Sequence, residues 1–269
     1  MKVEKLSYLI SKKLDDNSEY LQKNFFSSNN LTQTKFFVLD DLLPSDIASE
    51  IFKNFPSKNK WVFKNTFREK KYTFIKLNNI ANPIVKNFTN ALSSKKVVSQ
   101  VSKITKMKSL ESEPSFNMQG LSRLDRFNYL DPHIDNSHDT TGRMYRRINI
   151  LYYLTPGVRE EDGGNLELWD KKVNIPYKIV PSFNRLVVME TNKSSWHSVD
   201  SVKSDISRYC ISNYYFSKFS PYDKDYNHVT TFLSRPEKKF YRIFNIFDNM
   251  FRQALSNFFK ISRTKFFKS

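Results

Sequence analysis

In the stretch Asp131-Pro132-His133-Ile134-Asp135, His133 and Asp135 stand two residues apart. On an extended strand, side chains at that spacing project from the same face, so one imidazole and one carboxylate converge on a point. A second imidazole from elsewhere would complete a two-histidine, one-carboxylate set. Such a set covers one side of a metal ion, leaves the opposite positions open and suits non-haem Fe(II). His197, within Ser194-Ser195-Trp196-His197-Ser198, can supply it. A His-x-Asp tripeptide arises often by chance, and a single histidine is more often a packing or surface residue. The weight therefore rests on the elements that must position these three.

The chain has 269 residues, enough for one large β domain with helices or for two small domains with a substantial core. Hydrophobic content of 39% and aromatic content of 15%, with 24 Phe and 14 Tyr, describe a globular chain. The single cysteine, Cys210, excludes an intrachain disulfide framework and a cysteine-based zinc site, and it fits a reducing compartment. Met1-Lys2-Val3-Glu4-Lys5 opens no apolar run of signal-peptide length, and no stretch approaches the roughly 18 apolar residues of a membrane span. A cytoplasmic protein is expected. Net charge is +17, from 44 Lys and Arg against 27 Asp and Glu. That field attracts nucleic acid, anionic lipid or acidic substrates. The lysines are scattered, and zinc-finger spacing, a Gly-rich phosphate loop and internal repeats are all missing from the sequence, so nucleic acid is permitted but not favoured.

Residues 1–30 carry a weak helical stripe (Leu6, Ile10, Leu14) and form a peripheral segment. Phe36 to Leu39 reads as a strand. A helix follows with Ser45 as N-cap and Ile47, Ile51 and Phe55 on one stripe, stopped by Pro56. Residues 59–77 read as one or two strands and residues 80–101 as a helix, with the helices backing a sheet. All five glycines lie between positions 120 and 164. From there short β-like runs recur at 121–129, 146–154, 165–169, 173–180, 185–189 and 208–216. Short strands with Gly and Pro punctuation predict an antiparallel sandwich or jelly roll, whose inner strand faces share a cavity. Beyond Phe216, Ser234 to Glu237 reads as a capping box opening a helix. On it Phe240, Phe244, Phe247, Phe251, Leu255 and Phe258 recur at helical spacing. From Pro236 to Ser269 there are eight Lys or Arg and two acids. This basic amphipathic helix is expected to pack on the barrel or on a second subunit, with an anionic membrane surface as the alternative.

The order of motifs from Phe36 to Phe216 resembles the prolyl 4-hydroxylase-like branch of the 2-oxoglutarate- and Fe(II)-dependent oxygenases. The motifs are Phe37-Val38-Leu39-Asp40-Asp41-Leu42-Leu43-Pro44, Pro132-His133-Ile134-Asp135-Asn136, Leu151-Tyr152-Tyr153-Leu154 and Asp162-Gly163-Gly164-Asn165-Leu166-Glu167-Leu168. Asn184-Arg185-Leu186-Val187-Val188-Met189 and Trp196-His197-Ser198-Val199 with the later Arg208 complete the series. The string from Asn184 to Ser217 is similar to a bacterial group within that branch. The resemblance implies a mainly β fold with flanking helices (α+β) around a double-stranded β-helix (jelly-roll) core. The oxygenase domain would occupy residues 31–220, with residues 221–269 as a basic, Phe-rich helical extension.

By the same resemblance, His133, Asp135 and His197 are the iron ligands. Arg208, eleven residues after His197, would bind the distal carboxylate of 2-oxoglutarate through its planar fork. Ser212, on the same strand face, would add a hydroxyl, and the Tyr153 phenol would reach the same carboxylate. Leu151 would wall the cavity. Halogenating relatives carry a small residue where Asp135 stands, so hydroxylation is implied, with 2-oxoglutarate and O2 as cosubstrates and ascorbate as an auxiliary reductant. The implied substrate is a prolyl or other residue of a protein or peptide; a free amino acid or small metabolite is the alternative. Two other classes compete: a cupin-like metalloprotein working without 2-oxoglutarate, and a non-catalytic basic module binding membrane or nucleic acid. Among further residues, His138 is expected on an exposed lid and His228 at the surface, with Trp196 in packing. Asn136 and Asp139 would orient ligands or cap a turn, and Arg147 and Asn149 would line the substrate mouth or pair across strands. Gly163 and Gly164 mark a tight turn.

Overall fold

A computed structural model describes residues 1–27, 31–74, 82–112 and 120–259 of the protein. Five helices lie on one side: α1 (Val3–Asp16), α2 (Ser18–Phe26), α3 (Ser45–Lys53), α4 (Pro83–Leu92) and α5 (Lys95–Thr105). Their apolar stripes, including Leu6, Ile10, Phe25, Phe88 and Val101, bury against one face of the sheet. Two helix boundaries differ from expectation. Ser45 is the first residue of α3, with Pro44 at the capping position and no side-chain cap. The single helix expected over 80–101 is two helices, because the Ser94 hydroxyl accepts from Val97 N–H and starts a new one. Positions 80 and 81, the strand residues 75–77 and the tail from 260 lie outside the described residues.

Among the described residues every strand pairing is antiparallel. One side of the sheet contains β1 (Phe36–Leu39), β10 (Arg185–Glu190), β7 (Tyr145–Tyr153), β12 (Arg208–Ser217) and β5 (Gly120–Leu124), in that spatial order. Through β3 (Glu69–Phe74) it continues to β6 (Tyr129–Ile134), β11 (His197–Val199), β8 (Leu166–Trp169) and β9 (Pro176–Ile179). The short strands β2 (Val62–Asn65), β4 (Glu111–Ser112) and β13 (Thr231–Phe232) pair with β3, β12 and β6. The sheet curls into the half-barrel of a double-stranded β-helix, the jelly roll that the strand punctuation predicts.

Strand alternation decides which residues face the hollow of the curl. On β7, Ile148, Ile150 and Tyr152 point to the helices. Asn149, Leu151 and Tyr153 sit on the opposite face, in register with Tyr214, Ser212 and Cys210 of β12 and with Met189, Val187 and Arg185 of β10. Tyr153, Leu166, Leu168, Val187, Met189 and Cys210 make a second apolar cluster there. A β-bulge then breaks the alternation: Tyr215 opposes Ile148 while Phe216 opposes Arg146, so Arg147 is the extra residue. The bulge turns Arg146 inward beside Asn149 and sends Arg147 outward to the carbonyl of Phe219.

Gly163 closes the approach to β8 with φ +75, and a Cβ there would lie 2.1 Å from the Ser201 carbonyl oxygen. Gly157 has a similar φ of +69 and nothing within 4 Å of a Cβ. Gly157→Ala should therefore cost only the left-handed strain, about 1–2 kcal/mol, whereas Gly163→Ala must also displace backbone and should exceed about 3 kcal/mol. Thermal melts of the two variants make the comparison.

The last helix, α6 (Lys239–Phe259), departs most from expectation. It starts at Lys239 rather than at Ser234, whose hydroxyl instead accepts from Asn245 Nδ2. Its Phe stripe does not pack on the barrel: Phe240, Phe244, Phe247 and Phe251 are 88%, 55%, 66% and 64% exposed. The polar stripe faces the protein instead. Arg242 donates to the carbonyls of Lys172 and Val173, Asn249 pairs with the backbone of Phe232, and Arg252 donates to the carbonyl of Thr230. The underlying surface offers loop and edge-strand backbone groups, which need polar partners rather than Phe rings.

Candidate metal centre

His133 lies near the end of β6 and His197 at the start of β11, and the two are direct partners in the ladder. Asp135 follows β6 by one residue. His133 Nε2 is 3.8 Å from Asp135 Oδ1, His197 Nε2 is 3.7 Å from Asp135 Oδ2, and the two rings are 4.1 Å apart. One ligand atom from each residue lies within 4.8 Å of the other two. A metal ion at bonds of about 2.0–2.2 Å fits among them. The ring nitrogens are sorted for that task. His133 Nδ1 is 3.0 Å from the Asp131 carbonyl and His197 Nδ1 is 2.9 Å from the Ser195 carbonyl. An acceptor at Nδ1 fixes the proton there and leaves the Nε2 lone pair for a metal.

The electrostatics agree. Burial and the neighbouring His197 push His133 down to about 3, so it stays neutral. Burial acts to raise Asp135, but the Arg146 guanidinium and the two imidazoles outweigh it and hold the carboxyl well below the usual carboxylate range. Asn149 Nδ2 donates to Asp135 Oδ2 at 2.7 Å and Arg146 Nη1 approaches it at 3.1 Å. Asn136 accepts from Arg146 Nη2 at 3.1 Å, and Tyr214 lies under that guanidinium at 4.3 Å.

An unfolded histidine takes its proton near 6.5, so between that value and about 3 the unfolded chain binds a proton that the folded one refuses at His133. Acid therefore works against the metal-free fold. His133→Gln removes the difference. Between about pH 7 and pH 5 the metal-free parent should lose stability relative to His133→Gln, by up to about 1.4 kcal/mol per pH unit. Denaturant midpoints measured at each pH test the slope.

Several neighbours differ from their expected places. His228 is half-buried, with Nδ1 3.3 Å from the Asp135 carbonyl and Nε2 3.0 Å from the Thr231 hydroxyl. His138 is half-buried against Tyr145, with its Nδ1 on the Ser137 hydroxyl, so it is not an exposed lid residue. Asp139 caps a turn by accepting from Arg143 and Met144 N–H. Behind His133, the ring of Phe232 stacks at 5.4 Å. Asp131 is fully buried, and burial pushes its carboxyl up to about 6 against the pull of Lys238 and Arg235. Arg235 also binds Glu167, which accepts from Ser198 beside His197. No spacing rule links position 228 or 235 to the His-x-Asp pair.

The opposite end of the hollow holds Arg208, only 3% exposed, with its guanidinium 4.8 Å from the Tyr153 ring centre. Gly164, at φ +73, gives it room: a Cβ there would come within 3.2 Å of Arg208 Cδ. Arg208 Nε and Tyr153 Oη are both buried with no hydrogen-bond partner, and no carboxylate pairs with Arg208 among the described residues. Burial raises the Tyr153 phenol, so it stays protonated and able to donate. A buried cation beside an unused O–H is costly unless an anion joins them, and a carboxylate has the matching geometry. This end of the site thus fits 2-oxoglutarate as the triad fits Fe(II). The Ser212 hydroxyl donates to the Gly120 carbonyl at 3.0 Å, and Leu151 is half-buried against the apolar cluster. Burial pushes the Cys210 thiol up to about 11, so it stays protonated.

Residues 120–216 match the family model of the 2OG-Fe(II) oxygenase superfamily. Over 119 residues the chain is 28% identical to the prolyl 3-hydroxylase OGFOD1 of Mus musculus, covering 42% of this chain and 21% of that protein. The fold is similar to that of a Trichoplax adhaerens prolyl hydroxylase solved with a peptide fragment of the hypoxia inducible factor oxygen degradation domain. That match has a TM-score of 0.54 and 19% identity over 80% of this chain and 91% of the other. A Pseudomonas putida prolyl-4-hydroxylase gives a TM-score of 0.51 and 12% identity over 77% and 98%. Residues 120–216, about a third of the chain, thus match the 2OG-Fe(II) oxygenase superfamily model, and the fold around them is the one shared with prolyl hydroxylases.

Proposed function

We propose that the protein is a 2-oxoglutarate- and Fe(II)-dependent hydroxylase that acts on an unactivated carbon, in a prolyl or other residue of a protein or peptide. The observation that supports this reading is a three-ligand site sharing one hollow with a buried cation that no carboxylate satisfies among the described residues. When bound, Fe(II) would let O2 act as the oxidant while 2-oxoglutarate is oxidised to succinate and carbon dioxide, one oxygen atom passing to succinate and the other to the substrate carbon. The rest falls to the chain. The carbonyls of Asp131 and Ser195 hold the two imidazoles with Nε2 toward the ion. Asn149 and Arg146 hold one oxygen of Asp135 and so orient the other.

Arg208 and Tyr153 would grip the distal carboxylate of the cosubstrate, and Ser212 would join them by turning its proton away from Gly120. Leu151 and the apolar cluster around Val187 and Met189 keep water from that end. Beside Asp135 a small cleft of about 10 Å³, lined by Asn136, Arg146, Thr191, Lys193, Tyr226 and His228, marks the side from which a substrate would approach. The peptide preference is supported by the activities of the mouse and Trichoplax proteins; amino acids and small metabolites belong in the same screen. The test is succinate formation with Fe(II) and 2-oxoglutarate, with and without ascorbate, together with a mass gain of about 16 Da on the substrate. A product formed without 2-oxoglutarate would point to the cupin-like alternative, and a site that binds metal but consumes no cosubstrate with any substrate would refute the reading.

A further inference from the structure

We infer that the outward face of α6 docks the protein on an anionic lipid surface. The helix is amphipathic in the reverse sense to one that packs on a core. Its polar side is consumed by the protein body: beside the bonds of Arg242, Asn249 and Arg252, Gln253 accepts from Val229 N–H and donates to the Asn227 carbonyl. Rolling the apolar side inward would break this whole row of bonds. Outside stand Phe240, Ile243, Phe244, Phe247, Met250 and Phe251, all at least half exposed. Phe67, from the turn between β2 and β3, widens the patch, with its ring 5.9 Å from Phe244. Single exposed apolar residues are ordinary, whereas a continuous aromatic ridge marks an interaction surface.

Charge chooses the occupant. Residues 236–269 carry eight Lys or Arg against Glu237 and Asp248, in a chain of net charge +17. Asp248 is itself paired with Arg68 and Arg252. A nucleic acid would ask for cations across the ridge, where Phe stands. Arg242 and Arg252 are spent on the protein body, which leaves the exposed Lys239 and, next in the sequence, Lys260, Arg263, Lys265 and Lys268. A purely apolar protein partner would not call for cations in the same segment, whereas a Phe ridge followed by Lys and Arg in a chain of net charge +17 matches the boundary between acyl chains and anionic headgroups. No described helix is long and apolar enough to cross a membrane, so α6 would lie on the surface. Asn249 holds both backbone groups of Phe232, and Phe232 stacks on His133. Docking would therefore place the metal centre behind α6 and β13, on the side of the protein that faces the bilayer.

The test is co-sedimentation of the full chain with vesicles of phosphatidylcholine alone and with about 30% phosphatidylserine. Binding at least about tenfold stronger to the anionic vesicles, weakened in about 0.5 M salt, is the expected result. The triple variant Phe244→Ser, Phe247→Ser, Phe251→Ser should lose that binding while keeping the parent's circular dichroism and melting temperature, since all three side chains are exposed. Equal partition onto both vesicles, no partition onto either, or a micromolar dimer that the triple variant dissolves would overturn the proposal. The last result would assign the face to a second copy of the chain.

Discussion

Asp135→Ala should abolish Fe(II)-dependent succinate formation and at the same time lower the melting temperature of the metal-free protein. The two effects have different origins. The carboxylate is the only anionic donor in the triad, and without it two imidazoles must hold a divalent ion alone. Its removal should weaken metal binding by at least about 100-fold, the upper range for losing even an indirect contributor to a site. The stability effect comes from Arg146, a 4%-exposed guanidinium 3.1 Å from Asp135 Oδ2. Taking the acid from a buried pair typically costs about 3–5 kcal/mol. Asp135→Asn separates the two, because an amide oxygen still accepts from Asn149 and Arg146 but carries no charge. It should keep more of the fold than Asp135→Ala and still fail to turn over. Calorimetric titration with a redox-inert divalent ion, beside thermal melts, reads both quantities. Strong metal binding by Asp135→Ala would remove the carboxylate from the site.

The same residues mark where a one-dimensional reading succeeds. His133 and Asp135 are local, and strand alternation brings them to one face. Arg208, Ser212, Leu151 and Tyr153 entered through the family resemblance, and they share one face because β7 and β12 are long enough for the period of two to hold. Arg146 was not. In strict alternation it would share the helix-facing side of Ile148, and only the bulge at Arg147 brings it to Asp135. No composition rule marks that bulge. His228 and Arg235 reach the site because β13 adds to β6, a pairing between segments nearly a hundred residues apart with no sequence signal of its own. The reversal of α6 is a third case. A helical stripe of Phe announces an apolar face but not what that face touches. The decision lay in the hydrogen-bonding demand of the backbone beneath it, known only once the fold exists.

Arg208→Met should raise the concentration of 2-oxoglutarate needed for half-maximal turnover by at least about 100-fold while leaving the metal-free protein as stable as the parent, or more so. A guanidinium that grips a carboxylate forms two charge-assisted bonds, worth about 1.5–3 kcal/mol each. Losing both accounts for that factor or more. A structural arginine would show the opposite combination, because removal of a buried ion-pair partner is strongly destabilising. Here no carboxylate partner exists among the described residues, and Nε is buried without an acceptor. In the absence of cosubstrate the side chain keeps its contact with Tyr153, worth about 0.5–2 kcal/mol. Desolvation of the charge costs several kcal/mol. An unbranched apolar side chain in its place removes that desolvation cost and gives up only the weaker ring contact. Arg208→Lys should fall between, retaining charge but not the planar fork. With a redox-inert divalent metal present, 2-oxoglutarate should raise the melting temperature of the parent and not of Arg208→Met, a readout that needs no turnover. A variant that melts earlier yet keeps its affinity would make Arg208 a scaffold residue, and the carboxylate grip would have to be sought elsewhere in the hollow.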